Sequence, residues 1–177
     1  MRTICVGWTS LLAMGVFLCV ATGGATGAVP DFSGRWTIRP AGLGAGVARG
    51  NMGSGWGPTV NIAQDANRLT VEYAFFGRGD MQPPLRFVYA LDGSETKNSV
   101  MMGRGVQRQS SKTAWSGDKL VITTIHTFAD PTSGKAMTAE VKQTLSLESP
   151  TSLVVETIRA GVLGGPSSTT RTIYTKP

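Results

Sequence analysis

Apolar and polar residues alternate with a period of two along almost the whole chain from Trp36 onwards. Successive side chains of a β-strand point to opposite faces, so this pattern is typical of strands that bury one face. No window carries apolar residues at helical spacing, and we therefore predict an all-β fold. The runs that we assign to strands are Trp36 and Ile38, Val60 to Gln64, Leu69 to Phe75, Leu85 to Leu91, Leu120 to Ile125, Met137 to Leu147, Leu153 to Ile158, and Ser168 to Thr175.

Turn-forming residues separate these runs. Asp92-Gly93 is a strong hairpin signal because both residues tolerate positive φ, and Ser116-Gly117-Asp118 has a similar character. Short strands joined by tight turns form an antiparallel meander, and about nine or ten strands would leave costly edges unless the sheet closed. We therefore predict a small, closed or nearly closed barrel, with a two-sheet β-sandwich as the alternative.

One segment, Ala41 to Pro58, interrupts the alternation with a high density of glycine. Glycine at such density makes ordering entropically expensive. Two interpretations are open: a lid over a barrel mouth with Trp56 or Met52 as its apolar tip, or a surface insertion. A phosphate-binding loop is not supported, because the segment has neither G-x-G-x-x-G spacing nor a following Gly-Lys-Ser/Thr.

The amino end has the layout of a secretory signal peptide. Arg2 supplies a short positive region, Leu11 to Ala21 is an unbroken apolar run, and small residues follow from Thr22 to Ala28. The apolar run is shorter than the roughly 20 residues that a bilayer span needs. We therefore predict a signal peptide over residues 1–28, and a periplasmic or secreted domain over residues 29–177 that has no transmembrane span.

The composition offers little catalytic chemistry. Both cysteines, Cys5 and Cys19, fall in the predicted signal peptide, so the mature chain would have no disulfide and no thiolate. The net charge of +6 is modest and scattered, which argues against a nucleic-acid partner. His126 is the single histidine, and no G-x-S-x-G elbow is present. The sequence thus predicts no catalytic residue, no metal and no cofactor, and favours a non-enzymatic role.

The stretch from Ser94 to Thr113 differs from the other strands because it is polar on both faces. One explanation is an exposed edge strand or a hairpin that leaves the barrel. The other is a lumen that is polar at one end, where Gln107, Gln109 and Gln143 hydrogen-bond a ligand. The parity of His126 along its own strand would turn it into the same lumen.

The predicted domain opens with Asp31-Phe32-Ser33-Gly34-Arg35-Trp36, which resembles the start of many small secreted bacterial proteins of lipocalin-like type. Gly34-x-Trp36 is similar to the G-x-W motif of the lipocalin (calycin) barrels. The resemblance implies a lipocalin-like barrel in which an arginine of a late strand stacks on Trp36. Arg171 is the candidate for that arginine, with Arg159 as the second choice. The chain departs from the family in lacking a disulfide and a clear T-D-Y motif.

Three classes of function remain open from the sequence. The first is an exported protein that binds a small apolar or amphipathic molecule in the barrel lumen. The second is a barrel with a packed interior and an external protein or envelope partner. The third is a barrel enzyme such as an isomerase or cyclase built around His126. A haem-binding barrel, with His126 as the axial ligand of the iron, is a variant of this third class. The residues that we predict to contact a ligand are Tyr73, Phe75, Phe87, Tyr89, Gln107, Gln109, His126 and Gln143.

Overall fold

The computed structural model describes residues 29–39, 54–74, 84–102, 105–129, 133–161 and 165–177. This part of the chain is all-β, which confirms the predicted fold class, and it holds no helix that could span a bilayer. The strands are β1 (Gly34–Ile38), β2 (Thr59–Gln64), β3 (Arg68–Tyr73), β4 (Leu85–Ala90), β5 (Thr96–Met102), β6 (Gly105–Ser116), β7 (Lys119–Ala129), β8 (Ala136–Ser149), β9 (Ser152–Arg159) and β10 (Ser168–Thr175).

The strands form one antiparallel ten-stranded sheet in the order β4-β3-β2-β1-β10-β9-β8-β7-β6-β5. Each ladder joins strands that are consecutive in the chain, except the ladder between β1 and β10. In that ladder Thr37 lies opposite Thr175, and Ile38 lies opposite Tyr174. The sheet is therefore a meander that curls into a nearly closed barrel. The alternative of a two-sheet sandwich is wrong, because all ten described strands belong to one sheet.

The hydrogen-bonded sheet is open between β4 and β5, although these strands follow each other in the chain. The predicted turn is present: Gly93 has a φ of 82°, and the Asp92 carboxylate accepts a hydrogen bond from the Ser94 amide at 2.9 Å. The predicted hairpin is nevertheless wrong, because the two flanking strands do not pair as ladder neighbours. The break in the barrel therefore falls at this turn.

Side chains bridge the opening between β4 and β5. The amide N–H of Val88 donates to Oδ1 of Asn98 at 2.9 Å, and Nδ2 of Asn98 donates to the carbonyl of Val88 at 2.9 Å. The hydroxyl of Thr113 donates to the carbonyl of Ala90. Backbone groups at this edge of β4 are thereby satisfied without a neighbouring strand.

One end of the barrel has a packed interior. Phe32, in the segment before β1, is fully buried there and stacks on Trp115 with ring centroids 6.2 Å apart. Gln64 fixes this segment, since its Oε1 accepts the Phe32 amide at 3.0 Å and its Nε2 donates to the Pro30 carbonyl at 2.9 Å. The fully buried aliphatic residues of the core include Leu69, Leu120, Ile122, Leu145, Leu153 and Val155.

Trp36 is fully buried beside this packed end, and its indole N–H donates to the carbonyl of Phe32 at 2.8 Å. The cation over its ring is Lys176, whose Nζ lies 4.6 Å from the ring centroid. The lysine side chain passes Gly34, where an added Cβ would come within 2.7 Å of the Lys176 Cε. The glycine of the Gly34-x-Trp36 motif therefore leaves room for the cation that covers the tryptophan.

The expectation that Arg171 stacks on Trp36 is wrong. Arg171 lies on the outer face of β10, where it alternates with buried residues of that strand and forms a salt bridge with Glu148. The outward direction of Arg171 follows from strand parity, because neighbouring residues of a strand face opposite sides of the sheet. Arg159, the second choice, lines the barrel interior at the other end.

Candidate functional site

The interior of the barrel is open at the end away from Phe32. A cavity of about 320 Å³ lies there, lined by residues of β3, β4, β6, β7, β8 and β9 and by the segment Ser54–Trp56. Phe75 lies outside the described residues. All the other residues predicted to contact a ligand line this cavity, namely Tyr73, Phe87, Tyr89, Gln107, Gln109, His126 and Gln143. The structure thus brings them together, and their role in binding stays a prediction.

An aromatic wall forms one part of the cavity. Tyr73 at the end of β3 and Phe87 on β4 are stacked, with centroids 5.6 Å apart and planes inclined by 13°. Tyr89 shares the inward face of β4 with Phe87, because alternate residues of a strand share a face. Burial raises the pKa of Tyr73 to about 12 and also raises the pKa of Tyr89. Both phenols are therefore neutral at ordinary pH and offer flat, largely apolar surface.

A polar wall is formed by β6 and β7. Gln109 lies directly opposite His126 in the ladder between these strands. The amide nitrogen of Gln107 donates to Nδ1 of His126 at 3.1 Å. The alternative of an exposed edge strand is wrong for β6, because β6 pairs with both β5 and β7 and Gln109 is only 7% exposed. It holds for β5, the first part of the Ser94 to Thr113 stretch, which is an edge strand of the sheet.

The surroundings of His126 favour its neutral form. Burial lowers the pKa of His126, and the positive charge of Arg159 lowers it further. A neutral imidazole that accepts a hydrogen bond at Nδ1 carries its proton on Nε2. His126 is therefore arranged to act as a hydrogen-bond donor through Nε2.

Arg159, the last residue of β9, brings a positive charge to the cavity. It shares the inward face of the strand with Val155 and Thr157, which are both fully buried. A Cβ added to Gly55 would lie 3.2 Å from Nη2 of this arginine, so the guanidinium rests against the backbone of Ser54–Trp56. Burial lowers the pKa of Arg159, but a guanidinium remains charged in proteins.

The inner segment, which we define as Ser54–Trp56, enters the barrel and forms part of the cavity wall. Both ends of the segment, Ser54 and Trp56, are buried. The carbonyl of Ser54 accepts hydrogen bonds from Nε2 of Gln143 at 2.6 Å and from the hydroxyl of Thr157 at 3.5 Å. The Gln143 amide group that was expected to orient a ligand therefore holds the inner segment.

A second set of hydrogen bonds joins the inner segment and the adjacent Gly57 to β10. The hydroxyl of Tyr174 donates to the carbonyl of Gly57 at 3.1 Å. Because that proton is used, the Ser54 hydroxyl donates to the Tyr174 oxygen, 2.6 Å away. Burial raises the pKa of Tyr174 to about 12, so the phenol keeps its proton.

For residues Ser54–Trp56, these contacts decide between the two interpretations of the glycine-rich segment. The surface-insertion interpretation is wrong for Ser54–Trp56, because this part is inside the barrel. Gly55 has a φ of 84°, a conformation that favours glycine, and it lets the chain turn between the two buried residues. Trp56 lines the cavity as an apolar tip would, whereas Met52 lies outside the described residues.

The groups that line the cavity limit the chemistry that it can offer. Among the described residues no group of three or more His, Asp or Glu side chains could hold a metal ion. Within the same residues, every fully buried side-chain nitrogen or oxygen has a hydrogen-bond partner. The cavity combines aromatic surface, amide groups, a neutral imidazole and a guanidinium, which suits a molecule with an apolar body and a polar end.

Sequence reasoning missed several residues of the site. Alternation along β9 places Thr157 and Arg159 on the face of Val155, so the pattern contained the signal for both. Tyr174 follows in the same way from the parity of β10. Ser54 carried no such signal, because the glycine-rich segment has no period and its partners are distant in the chain.

The chain matches no protein-family model, no curated protein and no solved structure. The likeness of Gly34-x-Trp36 to the lipocalin motif thus stays an expectation from the sequence.

Proposed function

We propose that this protein binds a small molecule, largely apolar with a polar end, inside the barrel. The observation that carries the proposal is the cavity of about 320 Å³ with an aromatic wall and a polar wall. Small-molecule sites in proteins are typically concave, about 300–1,000 Å³ in volume, mostly apolar, and equipped with a few convergent polar groups. The aromatic wall would contact the body of the ligand, and Gln107, Gln109 and His126 would contact its polar end.

The contrast between the two halves of the interior supports binding over a barrel that is merely packed. The packed half is filled with Phe32, Leu120, Leu145 and similar residues. The cavity half instead buries Gln109 and Thr124 beside unfilled space. Buried polar groups and unfilled volume both cost stability relative to a well-packed apolar core. A ligand-binding function would explain why this half of the interior is polar and unfilled.

A second candidate is a barrel enzyme such as an isomerase, and the polar cluster around His126 is the observation that favours it. The Nε2–H of His126 would donate to a substrate oxygen, with Arg159 close enough to affect the charge of the imidazole. The two candidates differ in outcome: a binding protein releases its molecule unchanged, whereas an isomerase converts an excess of it.

We also propose that the protein is exported and is periplasmic or secreted. This proposal rests on residues 1–28, which lie outside the described residues. Amino-terminal sequencing of the exported protein is expected to begin between Thr26 and Asp31. A mature form that keeps Leu11 would overturn the proposal.

The binding function is tested by recovering the molecule from the protein's own host. Protein purified without denaturation is unfolded, and the released small molecules are identified by mass spectrometry. The stripped and refolded chain is then titrated with each of them by calorimetry. We expect one molecule to bind at one per chain and to be recovered unchanged. Conversion of an excess of that molecule would support the isomerase, and the absence of any saturable binding would contradict both.

A further inference from the structure

We propose that the cavity selects planar aromatic molecules that carry a negative charge, of which aromatic carboxylates are the simplest class. This inference rests on the proposed binding function and names the chemistry of its ligand. It follows from three features of the cavity: the sign of its charge, the donors on its polar wall, and the shape of its aromatic wall.

The charge that faces the cavity from the described strands is positive. Arg159 faces inward on β9. Glu140 contributes to the lining, but it alternates with the inward residues Ala139 and Val141, which lie opposite His126 and Thr124, and it is exposed. Its carboxylate is therefore on the outer face of β8. A ligand in the cavity therefore meets the guanidinium of Arg159, whereas the carboxylate of Glu140 on β8 points away from the cavity.

The described groups that surround His126 bring no negative charge to the cavity. Gln107 and Gln109 face it from β6, Ala139 lies opposite it on β8, and Arg159 acts on it from β9. Burial and the charge of Arg159 both lower the pKa of the imidazole. The imidazole Nε2–H and the guanidinium are donors, and a carboxylate is an acceptor that both can serve.

The aromatic wall favours a ring over a flexible chain. Tyr73 and Phe87 lie nearly parallel, inclined by 13°, and Trp56 adds a further aromatic side chain to the lining. A planar ring stacks on such a surface with little loss of conformational freedom, whereas an acyl chain loses rotamer entropy when it is confined. The volume of about 320 Å³ lies near the lower end of the usual range for ligand sites.

Three matched naphthalene probes test the charge preference: 2-naphthoate, its neutral amide 2-naphthamide, and the cation 2-naphthylmethylammonium. Octanoate is the acyl carboxylate for comparison. We expect calorimetric titration of the full mature chain to show 2-naphthoate binding at least about tenfold more tightly than the amide and the cation. Octanoate should bind more weakly than 2-naphthoate.

Two arginine variants localise the effect. Arg159→Gln should reduce the preference for naphthoate over naphthamide to about threefold or less, and Arg159→Lys should retain more of it. Arg108→Gln removes the same charge from an exposed position on β6, between the inward residues Gln107 and Gln109, and should leave the preference unchanged. If Arg159→Gln does not fold, the probe series on the unaltered chain still decides the inference.

The titration of His126, followed by NMR, gives an independent reading. A bound anion should raise the pKa of His126, whereas 2-naphthamide should not. Equal binding of the anion and the amide would overturn the charge selection and leave the binding function intact. Octanoate binding as tightly as 2-naphthoate would overturn the aromatic selection. Failure of every probe, with a host-derived molecule still bound, would overturn the inference alone.

Discussion

The carboxamide of Asn98 hydrogen-bonds to both backbone groups of Val88, each at 2.9 Å, and so replaces the bonds that a neighbouring strand would form. Asn98 is 9% exposed and lies opposite Gln109 in the ladder between β5 and β6. Asn98 thus bridges the opening between β4 and β5 with a carboxamide that imitates a peptide group, beside the hydrogen bond from the Thr113 hydroxyl to the Ala90 carbonyl. We therefore expect the stability of the barrel to depend on the side chain of Asn98.

Asn98→Leu should destabilise the protein by about 1–3 kcal/mol, because it leaves both backbone groups of Val88 without these partners. Hydrogen exchange at the Val88 amide should accelerate. Asn61→Leu is the control, since Asn61 is exposed on β2 and its replacement should change stability by about 0.5 kcal/mol or less. Unchanged exchange at Val88 in Asn98→Leu would show that the side chain does not close the barrel.

Trp36 and Lys176 should differ widely in their effects on stability. Trp36→Ala removes a fully buried indole and should cost about 3–5 kcal/mol. Lys176→Ala removes the cation over that ring and should cost about 0.5–1 kcal/mol. Arg171→Ala breaks only an exposed salt bridge, for which about 0–1 kcal/mol is expected. Denaturant unfolding measures all three, and a Trp36→Ala value near that of Arg171→Ala would contradict the buried role of the indole.

The fold and much of the cavity could be predicted from alternation alone. Parity along single strands turned Gln107, Gln109 and His126 inward, and the structure places all three on the cavity wall. Parity is local, so it could not show which strands pair. The Asp92-Gly93 turn predicted a hairpin, but the sheet opens there. That prediction failed because the residues of a turn do not encode the curvature of a barrel. The identity of the cation over Trp36 could not be predicted either, because it depends on where the carboxyl end of the chain lies in the fold.

Gln109→Leu should leave the fold intact and keep stability equal or slightly higher, because an apolar side chain in the interior needs no hydrogen-bond partner. The same change should weaken a ligand whose polar end contacts Gln109 by about 1–3 kcal/mol. Arg108→Leu, on the outer face of the same strand, serves as the control. Unfolding should show that both variants are stable, and ligand titration should show weaker binding by Gln109→Leu alone. Equal affinities would remove Gln109 from the binding site.

His126 should make the protein less stable as the medium becomes mildly acidic. Its pKa in the folded chain lies below the ordinary value of 6.5, so the unfolded chain takes up a proton first as the pH falls. Stability is then full above about pH 6.5 and declines as the pH decreases toward the folded pKa. Urea unfolding of the ligand-free chain at pH 7.5 and pH 5.5 should show this loss. His126→Gln should show less of it, and an equal loss in both proteins would contradict the buried neutral imidazole.

The titration of carboxylates changes stability in a lower pH range than the titration of His126, so the two effects can be told apart. The pKa values of Asp31 and Asp92 are lowered chiefly by hydrogen bonds from Ser33 and Ser94. A carboxylate with a lowered folded pKa contributes stability above its unfolded pKa and loses it as the pH falls through the folded value. Their losses therefore begin near pH 4, below the range in which His126 titrates.

The central claim, that the barrel holds a small molecule in its lumen, is tested most directly by filling the cavity. Ala139 lines it from β8, and Ala139→Phe should occupy the space of the ligand. Ala114→Phe adds the same ring at an exposed position on β6. Native mass spectrometry of the three proteins purified from the original host should show a bound mass on the unaltered chain and on Ala114→Phe. That mass should be absent from a folded Ala139→Phe. Retention of the same mass at the same occupancy by Ala139→Phe would place the ligand elsewhere and contradict the claim.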